Sequence, residues 1–280
     1  MAQGGMKMKL GLINSAFAQV GVDFAEGIRH TSEIGFDTVD IHTEAWQISD
    51  AEKKLIIKEC KANNLPIVSV PCCALGIADF TRPVRDFHTA RAKSFVDLAH
   101  DLKARNVLLV LGEYIWQQEV IPPSAQWAWA VEEVRKIGTY AHNKVVEIVI
   151  ELEPFRLSLV NNIAKMVSFI KEVDSPAVFA NIDVSHVYLA GDDPKEIRRL
   201  KGLAHHVHFS DCNGKVHGDL PPGKGVIDFR PLLKEIKNLE IDGTLSIELE
   251  FCPEPEKIVQ WVTDAYEVTA RLMAEAGLRS

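Results

Sequence analysis

Eight times in succession, a short apolar run of this chain gives way to a longer amphipathic stretch. The first, "MKLGLIN", leads to "DFAEGIRHTSEIG", where Phe24, Ile28 and Ile34 fall at helical spacing and Gly35 supplies a stop. "TVDIHT" leads to "SDAEKKLIIKECKANN", opened by Ser49 or Asp50 as N-cap. "PIVSVPCC" and "NVLLVLG" precede helices expected near 83–104 and 124–143. "EIVIELE" precedes "LVNNIAKMVSFIKEV", and "AVFANID" a short helical stretch near 194–200. "AHHVHFSD" reaches "DFRPLLKEIKN" through a Gly/Pro-rich loop, and "TLSIELE" reaches the closing helix.

Strict β/α alternation implies a parallel sheet, because each crossover helix returns the chain to the same end of the sheet. Eight units in 280 residues match a single (β/α)8 TIM barrel, which typically takes ~250 residues. A doubly wound sheet usually needs fewer strands, and no GxGxxG follows the first strand. No composition break marks a linker, so one barrel domain is expected over 1–280, with 1–6 as a loose tail.

Charge and cysteine usage narrow the class. A formal charge of −8 and a pI near 5.7 argue against a nucleic-acid partner, which calls for a basic face. The five cysteines are scattered without CxxC spacing, so neither a disulfide framework nor a zinc ribbon is expected. The N-terminal "LGLI" is too short for a signal-peptide core, and no run approaches the ~20 apolar residues of a membrane span. A cytoplasmic protein without a membrane partner is the expectation.

In a (β/α)8 barrel the C-terminal strand ends form the active face. The fifth strand offers Glu151 and Glu153 there, and the sixth Asp183 with His186. The seventh offers His206 and His208 on one face, His205 on the other, then Asp211; the eighth offers Glu248 and Glu250. The first four strands are poorer, with Asn14, His42, Glu44, Cys72 and Glu113. Carboxylates crowded into a dry barrel mouth need a compensating charge. Three carboxylates and one imidazole form an oxygen-rich set that favours Mn²⁺, with Mg²⁺ or Co²⁺ as alternatives.

The segments "IELEPF", "NIDVSH", "HVHFSD", "LPPGKGVIDF" and "DGTLSIELEF", in this order, resemble the xylose-isomerase-like TIM-barrel superfamily. The resemblance lies nearest the tagatose 3-epimerase type of sugar isomerase and epimerase. It is dense over 145–255 and rests on β/α rhythm before that. It implies Glu153, Asp183, His208 and Glu248 as metal ligands, with Glu153 and Glu248 also moving protons. It implies substrate contacts from His186 and His206. His217, Lys224 and Trp116 join them as loop candidates, the last as a stacking wall. Glu151 and Glu250 are then supporting carboxylates, although strand parity alone leaves either able to replace its neighbour. Asp211 orients a ligand or its loop.

The implied activity is a divalent-metal-dependent 3-epimerase or aldose–ketose isomerase, acting on a sugar or sugar derivative through an enediolate. A dehydratase on the same scaffold is the alternative; a DNA-repair endonuclease or a non-catalytic sugar-binding protein fits less well. A homo-oligomer, dimer or tetramer, is expected from the family. Three departures bear on the substrate. No arginine follows the strand-seven histidine in "SDCNGKVHGD", the loop reads "PPGKG", and the last strand reads "ELEF".

Overall fold

A computed structural model describes residues 6–111 and 121–279. Among them run eight parallel strands: β1 (Lys9–Ile13), β2 (Thr38–Asp40), β3 (Ser69–Cys73), β4 (Asn106–Val110), β5 (Glu147–Ile150), β6 (Val178–Asp183), β7 (Ala204–Phe209) and β8 (Thr244–Ile247). Sequential strands pair in order and β1 also pairs with β8. Between β2 and β3 the ladder thins to one bridge, Val39 with Ile67. Hydrogen bonds from Val39 N–H to the Pro66 carbonyl and from Ile41 N–H to the Ser69 carbonyl complete the ring. The result is a nearly closed TIM barrel with helices between the strands.

Local chemistry sets the helix limits. Asp23 caps Phe24–Ile34 by accepting the Glu26 N–H at 2.8 Å, and Gly35 ends it at φ 112°, a left-handed conformation that favours glycine. Ser49 and Glu52 form a reciprocal capping box on Asp50–Ala62. Prolines open the first turns of Arg82–Leu102 and Pro123–Asn143, where no N–H is needed. The expected stretch at 194–200 is a 3₁₀ helix, Pro194–Leu200. A helix absent from the sequence reading, Val184–Leu189, precedes it. Its cap is Asp183, the last residue of β6, so strand end and helix start share one residue. Residues 1–5 of the expected tail lie outside the described residues, and Met6 is exposed.

The apolar core lies between strands and helices, and much of the barrel interior is polar. On β7, Val207 and Phe209 pack into the hydrophobic layer, while His206 and His208 turn inward. Burying each large apolar side chain contributes roughly 1.5–3 kcal/mol. Inside, Gly11 matters because a Cβ there would stand 2.5 Å from Thr38 Oγ1 and 2.8 Å from Ser246 Oγ. The five cysteines are unpaired. No helix among the described residues is long and apolar enough to cross a membrane.

Candidate active site

The strand register sets depth. Asn181 pairs with His206, and one pleat nearer the mouth Asp183 pairs with His208. At the lower level, Asp40 at the end of β2 faces His206, with Oδ2 and Nε2 3.1 Å apart and both residues fully buried. Asp40 Oδ1 accepts the Ser69 N–H at 3.1 Å. Burial opposes ionisation of Asp40, but His206 outweighs it and holds the carboxyl below its ordinary range. Burial lowers His206 as well, so the pair is a carboxylate accepting from a neutral imidazole. His206 is thus a buried partner of Asp40 beneath the mouth.

The upper level carries the carboxylates. His208 Nδ1 lies 2.9 Å from Glu248 Oε2 and 3.4 Å from Glu151 Oε2, aligned with neither for a hydrogen bond. Its Nε2 also lacks a hydrogen-bond partner among the described residues, as does Asp183 Oδ2. Asp183 Oδ1 is occupied by the Ser185 hydroxyl at 2.9 Å and the His186 N–H at 2.8 Å. One ligand atom each from Glu151, Asp183 and His208 lie within 4.8 Å of one another, and so do atoms from Asp183, Asp219 and Glu248. Burial pushes Glu248 and Glu151 up and opposes the ionisation of Asp183, which His186 and His208 nonetheless hold below its ordinary value.

Buried nitrogen and oxygen atoms left without partners, among acids that repel one another, are what a cation site lacks before its ion arrives. The donor set therefore fits a divalent cation.

The two Glu-Leu-Glu runs divide by depth. Glu151 receives the Asn181 amide at 2.9 Å on each oxygen, which anchors it to the lower level. Glu153 follows one pleat nearer the mouth, its N–H bonded to the Val160 carbonyl at 3.0 Å, and its charge acts on both His186 and Cys73. On β8, Glu248 N–H reaches the Phe209 carbonyl at the upper level, whereas Glu250 sits at the rim near Gln19 and His217.

His186 and His217 lie together. His186 Nδ1 is 2.6 Å from the Leu152 carbonyl and Nε2 is 2.7 Å from His217 Nδ1. His217 Nε2 is 3.1 Å from Asp219 Oδ2. Burial disfavours the His186 imidazolium, but Asp183, then Glu153 and Glu151, raise it to about 9. Asp219, then Glu250, raise His217 to about 12.

Asp211 holds the 211–227 loop: its carboxylate accepts the N–H groups of Cys212, Gly223, Gly225 and Ile227. Lys224 stands on an exposed turn of that loop. His42 gives its N–H to Asn14 Oδ1 at 2.6 Å, and Glu44 pairs with Arg91. Glu113 and Trp116 lie outside the described residues. Asp40, Asn181 and Asp219 were not singled out in sequence. A pointer existed for Asp219, since "HGD" sets an aspartate two residues from the singled-out His217. None existed for Asn181, whose partner is thirty residues away.

The model of the xylose isomerase-like TIM barrel matches residues 28–266. The chain belongs to the xylose isomerase-like TIM-barrel family. It is similar to the fructoselysine 3-epimerase of Shigella flexneri, 22% identical over 254 residues, covering 86% of this chain and 90% of that one. Similarity to the D-psicose 3-epimerase of Ruminiclostridium cellulolyticum is 24% over 233 residues, covering 81% and 78%. Among solved structures, the IOLI protein with a bound zinc atom superposes with a TM-score of 0.84 at 16% identity, covering 96% and 99%. At that identity the superposition speaks for the barrel alone.

Proposed function

We propose that this family member is a divalent-metal-dependent sugar epimerase acting on a keto-sugar, with Glu153, Asp183, His208 and Glu248 as ligands. The observation that carries the reading is a buried His208 Nε2 and Asp183 Oδ2 without hydrogen-bond partners among the described residues, with Glu248 2.9 Å from the other His208 nitrogen. Relatives named as fructoselysine and D-psicose 3-epimerases supply the reaction class. Within each run the family resemblance selects Glu153 and Glu248; Glu250 stands at the rim, while Glu151, held by Asn181, also lies within ligand reach of Asp183 and His208. Mn²⁺ is the favoured ion on ligand chemistry.

A divalent ion held here supplies positive charge where an oxygen becomes negative as the proton beside a carbonyl leaves. The residues do the rest. Glu153 and Glu248 arrive from non-adjacent strands, β5 and β8, and so reach a bound sugar from two sides. One carboxylate takes a proton from carbon and the other returns one to the opposite face, which inverts the centre. Burial that raises Glu248 brings it nearer the working range of an acid–base group.

The test is turnover of D-fructose, D-psicose and fructoselysine in D₂O with Mn²⁺, read by NMR. Epimerisation with deuterium at the inverted carbon is expected, and Glu248→Gln should abolish incorporation while the chain stays folded. Normal incorporation in that variant removes Glu248 from the proton path.

A further inference from the structure

The four proposed ligands all belong to one half of the ring, β5 to β8. A keto-sugar held there by its carbonyl end has β1 to β4 for the rest of its chain to touch. The strand register shows what faces it. Gly11 on β1 abuts Thr38 and Ser246 inside the barrel, and Asp40 on β2 meets His206 there. Two residues nearer the mouth, the same faces carry Ile13 and His42. On β3 the inward residue at that end is Cys73, whose thiol feels Glu153 and Glu248. On β4 it is Val110, because Val107 and Leu109 point into the outer apolar layer. Of these four side chains, only the His42 imidazole can both give and take a strong hydrogen bond.

His42 is fixed through its backbone and open at its ring. Its N–H goes to Asn14 Oδ1 at 2.6 Å, while the ring makes no hydrogen bond among the described residues and the residue is exposed. Partial burial among the side chains of the mouth, with help from Arg91, lowers the imidazole below its ordinary 6.5 against the pull of Glu250 and Glu44. The ring is therefore neutral at pH 7, with one N–H and one bare nitrogen. That pattern matches a hydroxyl, which both accepts and donates. A phosphate dianion only accepts, and here it would carry its charge towards Glu250. The nearby cation is already engaged: Arg91 gives its Nε and Nη2 hydrogens to Glu44 and an Nη1 hydrogen to the Cys73 carbonyl. Residues 112–120 contain no lysine, arginine or histidine, and Lys215 and Lys224 stand on exposed turns of the loop after β7.

We propose that His42 is the specificity-determining residue for the end of the sugar remote from the metal ligands, and that it selects a free hydroxyl there, so that the enzyme takes unphosphorylated keto-sugars. This rests on the epimerase reading above and narrows its substrate class. The neutral imidazole donates to one sugar oxygen or accepts from one hydroxyl, and no proton changes owner. A site that hydrogen-bonds a hydroxyl rejects the analogue lacking it, because its own polar group is then left unpaired.

The test is a cycle between enzyme and substrate in the Mg²⁺-loaded protein. D-fructose, its 5-deoxy and 6-deoxy analogues and fructose 6-phosphate are compared on the parent, His42→Leu and His42→Gln. Leucine keeps bulk without a polar atom; glutamine keeps donor and acceptor. On the parent, one deoxy analogue should fall about five- to ten-fold below D-fructose in kcat/KM, the scale of one neutral hydrogen bond. His42→Leu should lose the same factor on D-fructose and nothing further on that analogue, and His42→Gln should recover most of the loss. Fructose 6-phosphate should fall roughly 10²-fold below D-fructose at low salt, with the gap narrowing as salt rises. A purely structural role for His42 would depress every sugar alike, so equal losses across the sugars in His42→Leu overturn the proposal. Fructose 6-phosphate turned over as well as D-fructose also overturns it. Calorimetric titration with the same sugars gives the cycle without turnover. If they bind in that pattern and none is epimerised, the epimerase reading fails and the role of His42 stands; if none binds, the proposal falls.

Discussion

Asn181 gives one amide nitrogen to both carboxylate oxygens of Glu151, at 2.9 Å each, and holds that glutamate one pleat below the level of Asp183 and His208. Burial raises Glu151 well above the ordinary carboxylate range, with Asp183 and Glu248 adding to the push and His208 opposing it. Two glutamates two residues apart thus differ in depth: Glu151 is tied to Asn181 inside the barrel, and Glu153 stands one pleat nearer the mouth.

Burial raises Glu151 towards its neutral form, and an amide keeps its shape and one oxygen to accept from Asn181. Glu151→Gln is expected to fold, with Mn²⁺ affinity reduced by no more than about 10–100-fold, the range for a group that supports a ligand. Glu153→Gln should weaken the metal further. Asn181→Leu strands a buried carboxyl and should cost about 1–3 kcal/mol in denaturant unfolding. Calorimetric titration of the three proteins with Mn²⁺ checks the order, and tighter binding by Glu153→Gln than by Glu151→Gln would reverse the assignment.

The Asp40–His206 pair should make stability acid-sensitive. Asp40 has its folded value below its ordinary 3.8, so its contribution is complete above that value and is lost as pH falls through the depressed one. His206 is also lowered; the unfolded chain takes up that proton first as pH drops below 6.5, which erodes stability over a higher window. Asp40→Ala should cost about 1.5–3 kcal/mol at pH 7, as a lost hydrogen bond to a charged group. The gap from the parent should narrow towards pH 3 in urea unfolding. A constant gap over that range would mean that Asp40 acts by packing alone.

Asp211 should govern the loop more than the metal. Four backbone N–H groups converge on its carboxylate, and a Cβ on Gly225 would stand 2.2 Å from both its Oδ1 and the Cys212 carbonyl. Neither neighbour can yield, since one is buried and the other is backbone. Asp211→Ala and Gly225→Ala are each expected to speed tryptic cleavage at Lys215 or Lys224 by about ten-fold, on the 1–3 kcal/mol scale of unsatisfied buried groups. Mn²⁺ affinity should stay within a few-fold of the parent. Loss of metal in Gly225→Ala would show that the loop and the metal centre form one unit.

Much of this architecture was legible in the sequence because it is written in local terms. Strand and helix periods, the N-cap at Ser49 or Asp50 and the Gly35 stop depend on residues within one turn of each other. Strand ends bearing Asp183, His208 and Glu248 could be named for the same reason: a carboxylate or imidazole closing an apolar run is a local signal. The helix at 184–189 escaped because Asp183 ends a strand and caps a helix with the same side chain.

The eight-fold β/α order, the acid-rich half of the barrel and the family follow from the residues in their order. The depth at which each member of the two Glu-Leu-Glu runs stands, and the pairing of His206 with Asp40 and His186 with His217, come from the folded barrel. The physical reason is that alternation along a strand fixes the face a side chain takes but not its height. Height comes from the stagger of neighbouring strands, and here Asn181, Asp40 and Asp219, distant in sequence, set it.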